Sequence, residues 1–168
     1  PEGFANLHVA RSDGCSSMLP IDYNVSQGME GRIASNFWRT LCGREASTVR
    51  VPVVSLRTVL GWLPEGPRVS LVKIDAQGYD LNVVRSAKRD DLARVDAVSL
   101  EVTGDGMKLP YVGAAGCKET YGAMEKLGFD GGRARCDAKW HSDVLFHRRR
   151  SAAVASRRRL SSERANLG

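Results

Sequence analysis

The sequence predicts an α/β fold built on a mostly parallel sheet with an antiparallel edge, and three observations carry that expectation. First, Val69-Ser-Leu-Val-Lys-Ile-Asp75 reads as a short apolar strand, and Ala76-Gln-Gly78 as a turn into a helix with Tyr79, Val83, Val84 and Ala87 on one face. Second, a further strand, Val95 to Val102, follows that helix, which is the pattern of parallel strands joined by a crossover. Third, the chain ends its apolar part in two closely spaced strand candidates, near Arg133 to Cys136 and Trp140 to Phe146, suited to an antiparallel edge.

In chain order, Leu7 to Ala10 is a strand that runs into the turn signal Arg-Ser-Asp13-Gly. Residues 21 to 47 show no clean period and read mostly as loop, with a short helix around 34 to 41 where Phe37, Trp38 and Leu41 share a face. Val49 to Val54 is β-branched and strand-like. Ser55 is placed to cap a helix over Leu56 to Leu63, and Pro64-Glu-Gly-Pro ends it. The near-continuous apolar run of Val69, Leu71, Val72 and Ile74 suits a strand covered on both faces. Lys88 to Arg94 continues as a charged helical turn. Thr103 to Val112 is loop, and a helix spans Cys117 to Leu127.

The 168 residues suit one domain with a sizeable core. The net charge is +6, and the seven arginines and single glutamate from Arg148 onward account for all of it. The body, residues 1 to 147, is therefore neutral, which argues against a nucleic-acid-binding fold. Residues 148 to 168 read as a basic, disordered tail: either a solvated terminus, or a localisation signal or weak contact for RNA or an anionic membrane. No run approaches a membrane span and no signal peptide is visible. The compartment stays open, with the cytoplasm as default. Cys15, Cys42, Cys117 and Cys136 lack both zinc-site and disulfide-scaffold spacing, so reduced thiols are expected.

Ligands of open α/β sheets bind beyond the carboxyl ends of the strands, so Asp75 and Glu101, each ending a strand, are the leading candidates. Asp75 can orient a hydroxyl, take its proton, or simply cap the next helix. Asp80 lies in a helix's first turn, where the dipole alone favours a carboxylate. Glu101 ends an otherwise apolar strand, where burial is costly without a partner; Lys73 and Arg85 are the structural candidates. The three carboxylates suit Mg²⁺ by chemistry, although nothing in their spacing requires a metal. His8, His141 and His147 show no partner pattern and read as structural or surface residues.

Lys73-Ile-Asp75-Ala-Gln-Gly78-Tyr-Asp80, followed by Leu100-Glu101-Val102, resembles the central signature of the FkbM-type S-adenosylmethionine-dependent O-methyltransferases. Asp13-Gly-Cys-Ser-Ser-Met-Leu, Val51-Pro-Val-Val-Ser-Leu and Asp143-Val-Leu-Phe resemble further segments in the same order, from about Leu7 to His147. The resemblance implies a Rossmann-like class I methyltransferase sheet. It also implies S-adenosyl-L-methionine as cofactor and methylation of a hydroxyl on a small molecule or glycan. Asp75 and Glu101 would then be catalytic, and Asp13, Asp75, Gln77, Gly78 and Asp80 would bind the cofactor, though an Asp-Gly turn explains Asp13 equally well.

The glycine-rich turn after a first strand, and the acidic residue after a second, have no match in this sequence. The chain therefore reads as the carboxyl-terminal portion of such a domain, a fragment with its amino-terminal strands missing and with the edge of the Val69 to Ile74 strand left open. The competing readings are a non-catalytic remnant of the fold that binds or localises through its basic tail, and a metal-dependent hydrolase using Asp75, Asp80 and Glu101.

Overall fold

The computed structural model describes residues 2–22, 41–108 and 111–149. Residues 34–40 of the expected helix at 34–41 and the tail from residue 150 lie outside them. Two sheets organise the rest. Strands β1 (Gly3–Ala10) and β2 (Glu45–Val53) pair antiparallel, from Gly3 opposite Val53 to Ala10 opposite Glu45. Both are longer than the apolar pattern alone suggests, because an antiparallel partner recruits the polar residues opposite it. Pro52 is tolerated in β2 because the strand has no second neighbour among the described residues. The chain after β1 turns through a 3-10 segment at Asp13–Cys15 and returns so that Ser17 bridges His8 on the other edge of β1.

The second sheet has the order β3-β4-β6-β5, from β3 (Val72–Ile74), β4 (Ala97–Thr103), β5 (Phe129–Asp130) and β6 (His141–Arg148). Strands β3 and β4 run parallel, while β4–β6 and β5–β6 are antiparallel. The sheet is thus mixed rather than mostly parallel, and the antiparallel edge is as expected. Among the described residues three α-helices accompany it: α1 (Leu56–Trp62), α2 (Asp80–Arg85) and α3 (Cys117–Lys126).

Their apolar faces meet one side of the sheet. Leu56 and Leu60 of α1, Val84 of α2 and Met124 of α3 share one buried cluster with Ile74, Val98, Leu100, Val102 and Phe146. The opposite side carries Lys73, Ser99, Glu101, Asp143 and Leu145, and Leu145 is 45% exposed. Leu71, just before β3, is 51% exposed. The expectation of a strand covered on both faces is therefore corrected: the apolar run from Val69 to Ile74 is half-covered. Among the described residues β3 pairs with β4 alone, so its other edge is open.

Local chemistry explains the element ends. Ser55 accepts from the Thr58 amide at 3.1 Å and caps α1, as the sequence predicts. At the other end of α1, Arg94 donates to the carbonyls of Leu60 and Pro64, at 2.5 and 2.6 Å. The strand expected at Arg133 to Cys136 is absent. Instead the Gly132 amide turns back to Asp130 Oδ1 at 2.8 Å, and the carbonyls of Arg135 and Cys136 accept from the Trp140 indole and the Asp105 amide. Those carbonyls are spent on side-chain and loop donors, so no ladder forms.

The thiol expectation is also corrected. Cys15 is bonded to Cys42, and Cys117 to Cys136, which leaves no free cysteine among the described residues. Scattered spacing hid these pairs, since each joins segments that only the fold brings together. Finally, Arg148 and Arg149, read as the start of the tail, are held by the folded body. The Arg148 amide donates to Asp96 and the Arg149 amide to Gly128, at 2.8 and 2.9 Å. No helix among the described residues is long and apolar enough to cross a membrane.

Candidate active site at the carboxyl ends of β3 and β4

The loop between β3 and α2 is shaped by backbone geometry that few residues accept. Gly78 has φ +84°, and a Cβ there would come within 3.0 Å of the Tyr111 ring and 3.1 Å of Ala114 Cβ. Both the dihedral and the space demand glycine. Replacing Gly78 with Ala is expected to cost roughly 1–3 kcal/mol, read as a lowered urea midpoint with an unchanged slope. Gln77 adopts φ +50°, which is uncommon outside glycine, and is held there from three sides. Ser17 Oγ donates to its carbonyl at 2.7 Å, its Nε2 donates to Asp75 Oδ1 at 2.9 Å, and the Tyr111 hydroxyl donates to its Oε1 at 2.9 Å.

Asp75 leaves the end of β3 as an exposed carboxylate, oriented by Gln77. Asp80 is different. It is 4% exposed, and its two oxygens accept from the amides of Ala76 at 3.4 Å and Gly78 at 3.2 Å. Burial pushes its carboxyl above the usual range, while the amides of Ala76, Asp80 and Glu101 pull it back. Asp80 thus closes the loop on itself. Burial and, to a lesser extent, the charges of Glu101, Asp75 and Asp80 push the Tyr111 phenol up, so it remains a hydrogen-bond donor.

Beside this loop a small pocket is lined by Gly78, Asp80, Leu81, Glu101, Thr103, Ala115, Thr120 and His141. Glu101 and Thr103 share a face of β4, and the register places His141 of β6 opposite Thr103. His141 Nε2 lies 2.8 Å from Glu101 Oε1, and its Nδ1 lies 2.7 Å from Thr103 Oγ1. The Glu101 hydrogen bond first, and then its charge with those of Asp143 and Asp80, raise the His141 pKa above the ordinary histidine value against the effect of burial. The partners considered for Glu101 are engaged elsewhere: Lys73 pairs with Asp143 and Arg85 with Glu119.

Of the residues singled out in the sequence, Gly78, Asp80 and Glu101 line this pocket, and Asp75 and Gln77 belong to the adjoining loop. Asp13 is exposed on its 3-10 turn and is not part of the lining. Among the described residues no three His, Cys, Asp or Glu side chains gather as a metal site, so the carboxylate trio does not assemble as one. Sequence reasoning missed His141 and Thr103. The Glu101-x-Thr103 spacing on one strand was available as a signal, but only the β4–β6 register supplies the histidine.

A model of the FkbM methyltransferase domain matches residues 1–129. The chain belongs to the FkbM methyltransferase-domain family. The match spans both sheets as far as Phe129 and includes Asp75, Asp80 and Glu101 of the FkbM domain; His141, on β6, lies beyond it. No curated protein and no solved structure matches the chain.

Proposed function

We propose that this FkbM-family chain contributes to an S-adenosyl-L-methionine-dependent methyltransferase that methylates a hydroxyl on a small molecule or glycan. The observation that carries the reading is that Asp80 and Glu101 line one pocket at the carboxyl ends of β3 and β4, with Asp75 on the adjoining loop, within a chain of a methyltransferase family. The chemistry of these donors suits the cationic methionyl end of the cofactor: acidic groups beside an exposed loop. Asp75 and Gln77 would bind there directly. Gly78 lets the backbone approach, Asp80 fixes the loop that presents them, and Asp13 would border the adenine.

When bound, the cofactor supplies an electrophilic methyl group. Displacement at that methyl is governed by alignment, so the chain's contribution is to orient the acceptor oxygen and accept its proton. Asp75, exposed and oriented, serves the first task, and Glu101 stands behind the second. In the full-length protein, Asp75→Asn is expected to lower methyl transfer at least 100-fold while leaving the melting temperature within a few degrees, since the side chain is exposed. Transfer of label from methyl-labelled cofactor at the wild-type rate would rule out both roles.

A further inference from the structure

We propose that Thr103, His141 and Glu101 form a proton relay in which Thr103 meets the acceptor hydroxyl and His141 takes the proton onward; this inference rests on the methyl-transfer reading above. Three observations point to it. Thr103 is one of the residues that line the pocket and is 4% exposed, so its hydroxyl is shielded from bulk water. Both ring nitrogens of His141 are engaged, Nδ1 by Thr103 and Nε2 by Glu101. With the neutral ring protonated on Nε2, that nitrogen donates to Glu101 and Nδ1 accepts from the Thr103 hydroxyl. The His141 side chain is also 44% exposed, which gives the proton an exit.

The acceptor oxygen would gain the methyl group as the methyl–sulfur bond of the bound cofactor breaks, the electron pair staying on sulfur as a neutral thioether, and would lose its proton to Thr103 Oγ1 as the Thr103 proton passes to His141 Nδ1. The resulting imidazolium is held by Glu101 and returns its proton to solvent. Glu101 and His141 act through Thr103 and are positioning residues in this scheme. It gives Glu101 a partner that explains a carboxylate on a strand whose other face is apolar, and it uses a histidine outside the family-matched span.

The relay works only with neutral His141. Glu101 on β4, Asp143 on β6 and Asp80 on α2 all favour the protonated ring. Activity should therefore rise with pH through a histidine titration above the ordinary value of about 6.5. Two measurements test this in the full-length protein. Histidine NMR titration, assigned with His141→Asn, is expected to show His141 titrating high and falling by about one pH unit or more in Glu101→Gln. An ordinary titration unmoved by Glu101→Gln overturns the relay whatever the activity.

The second measurement is kcat/KM against pH, with methyl-labelled S-adenosylmethionine and a panel of methyl glycosides as acceptors. His141→Asn and Thr103→Val are expected to lose roughly 100-fold or more and the acidic limb with it, whereas Thr103→Ser retains the limb and most of the rate. Circular dichroism melts confirm that each variant folds. Wild-type protein that methylates no hydroxyl overturns the methyl-transfer reading together with the relay. Undiminished transfer in Thr103→Val and His141→Asn, with an unmoved profile, overturns the relay alone.

Discussion

Replacing Cys117 and Cys136 together by Ala is expected to lower stability by about 3 kcal/mol, and replacing Cys15 and Cys42 by slightly more. The bonds close loops with sequence separations of 19 and 27. In the chain-entropy account, loops of these lengths are each worth about 3 to 3.6 kcal/mol through the unfolded state. For a domain whose total stability is on the order of 10 kcal/mol, that is a large share. The structural consequence should be local as well. Cys117 begins α3, and Cys136 anchors the irregular segment that leads into β6 and therefore to His141.

Urea melts with and without dithiothreitol, read beside the Ala pairs, provide the measurement. Wild-type protein in reductant should melt like the four-fold Ala variant. If reduction and substitution leave the midpoint unchanged, the sulfurs are not bonded in solution. Bonds of this kind persist where the surroundings are oxidising, so the pairs also argue against the cytoplasm as the default compartment.

Arg148→Ala is expected to destabilise the protein by roughly 2–4 kcal/mol, although the sequence places Arg148 in a tail with nothing to bury. Its guanidinium lies 4.4 Å from the centre of the Phe129 ring, donates to the Val95 carbonyl at 2.7 Å and also donates to the Leu92 carbonyl. Hydrogen bonds from a charged donor contribute about 1.5–3 kcal/mol, and a partly desolvated cation over a ring about 0.5–2. Val95 and Leu92 are fully buried residues; the Leu92 carbonyl keeps the Val95 amide as a donor, whereas the Val95 carbonyl loses the guanidinium that donates to it. Arg148→Met separates the causes, since it keeps apolar contact with Phe129 and loses the donors. A chain ending at Arg149 should melt like the whole chain, and one ending at His147 well below it. Equal melting of the two would show that Arg148 contributes nothing.

The elements legible in the sequence were those set by local rules. Ser55 caps α1 where its spacing says it should, Gly78 turns the chain after β3, and the apolar stripe with Met124 packs α3 on the sheet. What the sequence concealed was decided by partners distant along the chain. Leu71 belongs to an apolar run yet faces outward, because covering a strand is a property of its neighbours. The cysteine pairs depend on where α3 and the 3-10 turn come to rest. Asp75 and Glu101 could be chosen from strand ends alone, but the His141–Thr103 contact exists only because β6 runs antiparallel in one register.

Gln77 has a consequence for how the two sheets influence each other. Its carbonyl is tied to Ser17, and Tyr111 ties its side chain to the Cys15 carbonyl, where the same hydroxyl lies 3.1 Å away. A left-handed backbone at a non-glycine residue holds only while its surroundings over-determine it. Whatever free energy the β1–β2 lobe spends on keeping Gln77 in that conformation, the Asp75 loop returns to the lobe in equal measure, because coupling between two sites is reciprocal. A ligand that orders Asp75 must therefore tighten the segment around Ser17. Loosening that segment must, by the same amount, weaken the grip on the ligand.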